Sequence, residues 1–438
     1  MKQRISTILL ANQRLIHLLF KKLNPTTTLG VKTCLSISIT ALCLIALGVS
    51  LTIFTLYGSP TAPSIQHAST SGSSGNSAST KRTATQKNMP NNKPGTTAKT
   101  QKPAYSAPTA KAAAPASPFL SPSTSFFASI DTMKDSRDTN YPTGNQMSAT
   151  SIQQEVHLIS TQHANYATDD AFYDYQSYLA QWANEIHAAG LHVWFRPHFN
   201  CWELDNGCST QMTPSEYLSA LTGFLNTNYG IFKPGDIFDP CAEPEDSTYW
   251  EHTYGTNWSW QNAPNTGTDA FNNFMLDASN VAQSTLRQHG ISDVITGIRS
   301  TNGWWPQNPH SLYPSTIKAL GYVTYDSYPE GSTTDPATAA NARTSELNAI
   351  TVDNPGIPIV LGEFGYSNDA DVSDATQKAV LATEISSISG YNQIVGMNYW
   401  VGAGGAGYGG YTNLFAGSRG NWSARPSASV IANYFMQK

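Results

Sequence analysis

Beyond about residue 123 the chain alternates between short apolar runs and longer stretches whose apolar positions recur every three to four residues. Phe126–Thr132, His163–Thr168, His192–Pro197, Asp236–Ala242, Val294–Ile298, Tyr322–Asp326, Ile359–Gly362 and Ile394–Trp400 read as strands. Ser151–Ser160, Ala171–Ala189, Pro214–Asn226, Phe271–His289, Pro314–Leu320, Pro336–Ile350, Asp374–Ser387 and Arg425–Met436 read as helices, with Gly190 and Gly290 as stop signals. Eight strand–helix units in about 315 residues predict an α/β fold, the (β/α)8 TIM barrel. An open doubly wound sheet is the alternative. It ordinarily carries a glycine-rich phosphate turn after an early strand, and none is present.

The seventh run ends in an unusual way. Pro358-Ile359-Val360-Leu361-Gly362 leads straight into Glu363, followed by Phe364 and Gly365. A continuous apolar run is the mark of a strand buried on both faces. Glu363 then stands at its C-terminal end, where barrels and open α/β sheets keep their active sites. The plain alternative is a structural carboxylate paired with an arginine.

The N-terminal part has a different character. Residues 1–32 carry six basic residues and no acid, and 33–57 contain no charge at all, a length sufficient to cross a ~30 Å hydrocarbon core. This predicts a basic cytoplasmic segment and a transmembrane signal-anchor, with everything after Tyr57 on the outside of the cell membrane. Residues 58–122 are dominated by Ser, Thr, Ala, Pro, Gly, Asn and Lys. They predict a disordered linker, too poor in large apolar groups to offset the entropy of ordering. Residues 123–438 form the remaining domain.

Charge then narrows the partners. The first acid in the chain is Asp131, so 123–438 holds all 30 acids against 12 bases, a net of −18. That balance argues against nucleic acid and an anionic membrane as partners of the domain and favours neutral or cationic ligands. Cys201 and Cys208 flank a short loop-like stretch and are expected to form a local disulfide outside the cell, leaving Cys241 unpaired unless it competes for one of them. Cysteine and histidine are too sparse for a zinc site, and no cofactor is expected.

The strand ends gather one kind of chemistry. Arg196, His198 and Asn200 follow strand three, and Glu243 and Glu245 follow strand four. Trp304 and Trp305 follow strand five, Tyr325 and Tyr328 close strand six, and Trp400 ends strand eight. Carboxylates for bond cleavage, amides and His for hydroxyls, and indole faces for sugar rings suit a saccharide site. Glu363 as nucleophile, held by Tyr325 or Tyr328, and Glu243 as proton donor would make a retaining pair across the barrel. Glu203, Glu245 and Glu251 compete for the acid role, Glu245 most closely. Asp131, Asp135 and Asp138 either bind a distal sugar or cap loops, and the tryptophans either line the site or pack the core.

Gly362-Glu363-Phe364-Gly365, Glu243-Pro244 and Trp400 resemble clan A of the glycoside hydrolases, nearest the cellulase- and mannanase-like families. The resemblance runs the length of the barrel. It implies an extracellular enzyme cleaving β-linked polysaccharide or oligosaccharide by double displacement, with Trp400 under the sugar and Arg196 beside the nucleophile. It departs from the clan at Ala242, where an asparagine ordinarily bonds the sugar 2-hydroxyl; Asn200 or His198 would then take over that contact. A non-catalytic carbohydrate-binding or cell-wall protein on the same scaffold is the competing reading.

Overall fold

The computed structural model describes residues 125–137, 146–202, 211–255, 266–302, 312–329, 333–366, 372–404 and 412–438. The expected basic segment, signal-anchor and linker lie outside them. Among the described residues no helix is long and apolar enough to cross a membrane.

Seven strands form one parallel sheet: β1 (Phe127–Asp131), β2 (Tyr166–Asp169), β3 (His192–Phe195), β4 (Ile237–Phe238), β5 (Val323–Ser327), β6 (Ile359–Phe364) and β7 (Ile394–Tyr399). Their order across the sheet is β4-β3-β2-β1-β7-β6-β5, which leaves β4 and β5 as edges. Residues 293–301 bridge those edges. Ile295 pairs with Ile237, Phe238 N donates to Ile295 O at 2.8 Å, and Asp326 N donates to Thr301 O at 2.9 Å. The sheet curls into the arrangement of an α/β barrel.

The expected fifth strand at 294–298 is therefore corrected to an irregular bridge. Past Ile298 a side chain takes the place of a ladder partner: Ser300 N donates to Asp239 Oδ2 at 2.6 Å, and the same carboxylate holds Arg299, whose Nε stands 2.9 Å from Oδ1. The sequence reading also lacked an antiparallel hairpin, β8 (Phe415–Ser418) with β9 (Asn421–Ala424).

Local sequence explains the helix limits. Ser148 caps Ala149–Ser160, Thr213 forms a capping box with Glu216 at the start of Pro214–Asn228, and Asp335 and Ser373 cap Pro336–Asp353 and Asp374–Ile388. Gly321 ends Pro314–Leu320 at φ +88°, a conformation that costs glycine little.

Strand alternation divides the barrel interior into two levels. Phe127, Tyr166, Trp194, Ile237, Ile295, Ile298, Tyr322 and Val360 cluster as an apolar floor. Two residues further along the same strands the positions become polar: Ser129, Thr168, Arg196, Ser300 and Thr324. Ser129 Oγ lies 2.8 Å from Thr168 Oγ1, which donates to Asn398 Oδ1 at 2.8 Å. This polar level supports the C-terminal rim.

Candidate active site

Glu363 is the centre of the rim. Its side chain is 7% exposed, Arg196 Nη1 donates to Oε1 at 2.9 Å, and Tyr328 Oη donates to Oε2 at 3.1 Å. Arg196 is fully buried; its Nη1 also reaches Asp131 Oδ2 at 3.0 Å, and its Nη2 stands 3.6 Å from Asp326 Oδ2. Asp131 is fixed in turn by Asn398 Nδ2 at 2.7 Å and by Met133 N at 2.7 Å. Its bond from Met133 N fixes the turn ahead of the short helix Met133–Ser136, and its pairing with Arg196 occupies the other oxygen, which favours the structural role over a sugar contact.

Two glycines make the approach of these groups sterically feasible. A Cβ on Gly362 would lie 2.5 Å from Ser300 Oγ and 2.6 Å from Asp326 Oδ1. One on Gly365 would lie 2.3 Å from the Trp400 carbonyl oxygen. The Gly-Glu-Phe-Gly stretch thus presses β6 against its neighbours while Glu363 faces Arg196, Asp326 and Glu243.

Glu243 enters from the loop after β4. Its backbone is left-handed at φ +43°, ψ +53°, a strained state for a residue with a side chain. Glu243 N donates to Ser300 O at 3.2 Å, which anchors the loop to the 293–301 bridge. One carboxylate oxygen each from Glu243, Asp326 and Glu363 lies within 4.8 Å of the other two. Three carboxyls at that spacing are also close enough to share a cation, although Arg196 already supplies counter-charge to two of them.

Electrostatics follow from burial. Burial, opposed by Arg196 and aided by Glu243 and Asp131, pushes Glu363 up to about 7. Burial, with Glu363 and Glu243 alongside and Arg196 opposing, raises Asp326 well above the usual carboxylate range. Burial lowers Arg196, but Glu363, Asp326, Asp170 and Asp131 outweigh it, so the guanidinium stays charged. Glu245, the rival acid, is pushed up to about 8 chiefly by burial, and its Oε1 accepts from Asn302 N at 2.6 Å.

The other expected residues divide. Tyr328 reaches Glu363, whereas Tyr325 points into the outer core; adjacent strand residues face opposite ways, so Asp326 takes the inward place beside Tyr325. His198 is buried, with Nδ1 3.0 Å from Phe199 O and Nε2 3.2 Å from Arg137 Nη1. Asn200 N donates to Asp174 Oδ2 at 2.7 Å, and its Oδ1 is buried without a hydrogen bond. Trp400 packs with Met133, Val401 and Tyr328 at the rim, and Lys134 Nζ lies 5.2 Å from its ring centre. Ala242 is buried beside Glu243 and offers no amide. Cys201 is disulfide-bonded, Cys241 is a buried thiol outside any disulfide, and Cys208, Trp304 and Trp305 lie outside the described residues.

Sequence reasoning gave no role to Asp326, Arg137 or Asp170, all of which are among the charges at the rim. Period-two alternation from Tyr322, Thr324 and Asp326, and from Tyr166, Thr168 and Asp170, was the signal available for two of them.

No family model matches the chain, and no curated protein matches its sequence. Among solved structures it is similar to the β-glucuronidase of Ruminococcus gnavus. The ligand-free structure at 1.7 Å resolution shares 13% identity at a TM-score of 0.50, over 71% of this chain and 50% of that one. A second crystal structure of that enzyme gives the same figures. The chain spans half the length of the structures it matches. The likeness defines the fold class: a TIM-barrel-like α/β fold shared with a glycoside hydrolase.

Proposed function

We propose that the chain is a retaining glycoside hydrolase acting on β-linked polysaccharides or oligosaccharides. The observation that carries this reading is the meeting of Glu243 and Glu363 at the rim, with one carboxylate oxygen of each within 4.8 Å of the other. Retaining glycosidases hold their carboxyls ~5–5.5 Å apart, and inverting ones leave room for a water at roughly 6.5–9.5 Å. The shared fold and the saccharide-active neighbour support the same class.

Glu363 attacks the anomeric carbon through its ionised carboxylate, the form that Arg196 and Tyr328 favour against the effect of burial. Glu243 gives its proton to the glycosidic oxygen as the C–O bond breaks, so the aglycone leaves as a neutral alcohol. Water then attacks the glycosyl ester of Glu363 while Glu243 takes back a proton, and both carboxyls return to their starting states. Arg196 and Tyr328 hold the nucleophile in place throughout.

A basic cytoplasmic segment, a signal-anchor at 33–57 and the 58–122 linker would present this domain outside the cell membrane. The pairing of Cys201 with Cys208 belongs to the same extracellular reading. Trp400, Trp304 and Trp305 would supply sugar platforms, with His198 and Asn200 contacting hydroxyls and no cofactor involved. Ala242 beside Glu243 is the observation that favours the competing carbohydrate-binding role. Reducing-sugar release from β-glucans, mannans, xylans, galactans and chitin, repeated with Glu363→Gln and Glu243→Gln, tests the proposal. Release that disappears in both variants supports it; glycan binding without release supports the alternative.

A further inference from the structure

We propose that Asp170, together with Arg137 and His198, forms a polar subsite on the β2–β3 side of the pocket that grips two neighbouring hydroxyls of one sugar unit. The inference rests on the glycosidase reading and specifies how that site holds its substrate.

Asp170 is 1% exposed, and neither of its carboxyl oxygens has a hydrogen-bond partner. A buried polar group left unpaired is costly, and in native proteins such groups ordinarily mark a ligand, a water or a functional role. The strand pattern places it. Tyr166 belongs to the barrel floor and Thr168 to the polar level above, so Asp170 is the next inward position, at the rim. On the neighbouring strand Trp194, Arg196 and His198 make the same ascent.

Backbone contacts fix this corner of the pocket. Asp170 N donates to Ser136 Oγ at 3.2 Å, Tyr173 N to His198 O at 3.2 Å, and Thr132 Oγ1 to Thr168 O at 2.6 Å. The helix carrying Arg137 is thereby tied to the ends of β2 and β3. Phe199 O accepts from His198 Nδ1, which leaves Nε2 to accept from Arg137 Nη1 at 3.2 Å and orients the guanidinium. Asp131, Arg196, Arg137 and Glu363 are the charges that act on Asp170, so the carboxyl shares its surroundings with the charged residues of the rim.

The chemistry suits a diol. A carboxyl accepts from one hydroxyl and reaches its neighbour, while a guanidinium donates to the same pair. A deoxy sugar would leave those buried groups unmatched, the situation in which a polar site discriminates most strongly.

The test is a cycle between protein and substrate. The full-length chain and Asp170→Asn are assayed on 4-nitrophenyl β-glycosides of glucose, mannose, galactose and xylose, as mono- and disaccharides. The fastest is then compared with its analogues deoxygenated in the sugar unit next to nitrophenol. Asp170→Asn is expected to lower kcat/KM on the parent about tenfold or more. One analogue should show that loss already in the wild type and no further loss in the variant. Arg137→Met should couple to the same or the adjacent hydroxyl. Thermal melting should stay equal or rise in Asp170→Asn, because the amide removes an unpaired buried acid. Equal losses on parent and analogues, or no loss on the parent, would overturn the subsite while leaving the glycosidase intact. Absence of turnover by the wild type on these substrates and on the polysaccharides would overturn the glycosidase reading itself, and the subsite with it.

Discussion

Arg196 stands 2.9 Å from Glu363 although the two residues are 167 positions apart, and the same Nη1 reaches Asp131 at 3.0 Å. One buried guanidinium therefore joins the first strand, the third and the sixth at the point where the rim chemistry lies. The arrangement sets the charge of Glu363 and, through it, what the pocket can do.

Tyr328 provides the second hold on that carboxylate, through a hydrogen bond to Oε2 at 3.1 Å. Hydrogen bonds to charged groups contribute about 1.5–3 kcal/mol. Tyr328→Phe is expected to lower kcat by about 10–100-fold and to move the acidic limb of the rate–pH profile upward, since the ionised form loses a donor. Steady-state kinetics across pH check both effects.

Gly362→Ala should damage the site without touching a reacting group. The added methyl would meet Ser300 Oγ at 2.5 Å and Asp326 Oδ1 at 2.6 Å, and displacing Asp326 disturbs Glu363 and Arg196. A loss of about 1–3 kcal/mol in stability together with reduced kcat is expected, measured by denaturant unfolding beside the activity assay. Wild-type values in both would contradict the close packing of β6.

Glu243 tests strain at the site. A glutamate at φ +43° is held against its backbone preference, and a second carboxyl faces it. Glu243→Gly should abolish hydrolysis yet stabilise the fold by about 1 kcal/mol, the backbone relief exceeding the entropy that glycine adds to the unfolded chain. A destabilised variant would mean that the loop needs the side chain for its own structure.

Stability should fall as pH rises through neutrality. Burial, aided by Asp135, raises Glu155, and burial likewise raises Asp170 and Asp326. These acids keep their protons in the folded chain at a pH where the unfolded chain has lost them. Stability is then full below the ordinary carboxylate range of about 4 and is lost as pH climbs towards the raised folded values. Asp236 acts in the opposite sense: burial raises it, but the bonds from His187 and His192 outweigh that, and its contribution disappears in acid. Thermal melting should therefore be higher near pH 5 than near pH 7.5, and a flat or rising Tm across that interval would contradict the burial of these groups.

Much of this was legible in the chain because it rested on local pattern. The run Ile359–Leu361 ending at Gly362-Glu363 announced a buried strand with a carboxylate at its end, and β6 has that form. Pro214, Pro314 and Pro336 marked helix starts that the structure keeps. The bridge at 293–301 was harder to read, because Asp239, distant in sequence, competes with the ladder for Ser300 N. The hairpin of β8 and β9 had a cue in its two-residue turn, Arg419-Gly420, with Gly420 at φ +74°. Tyr325 and Asp326 show the limit most clearly. Both end a strand, and only the alternation of faces determines which one meets Glu363.

The most direct measurement is the anomer first released from a β-linked substrate, followed by proton NMR during the opening minutes of hydrolysis. Double displacement through Glu363 requires the β-anomer to form first and to mutarotate afterwards. An α-anomer at the outset would mean direct attack by water and would remove Glu363 from the nucleophile's role.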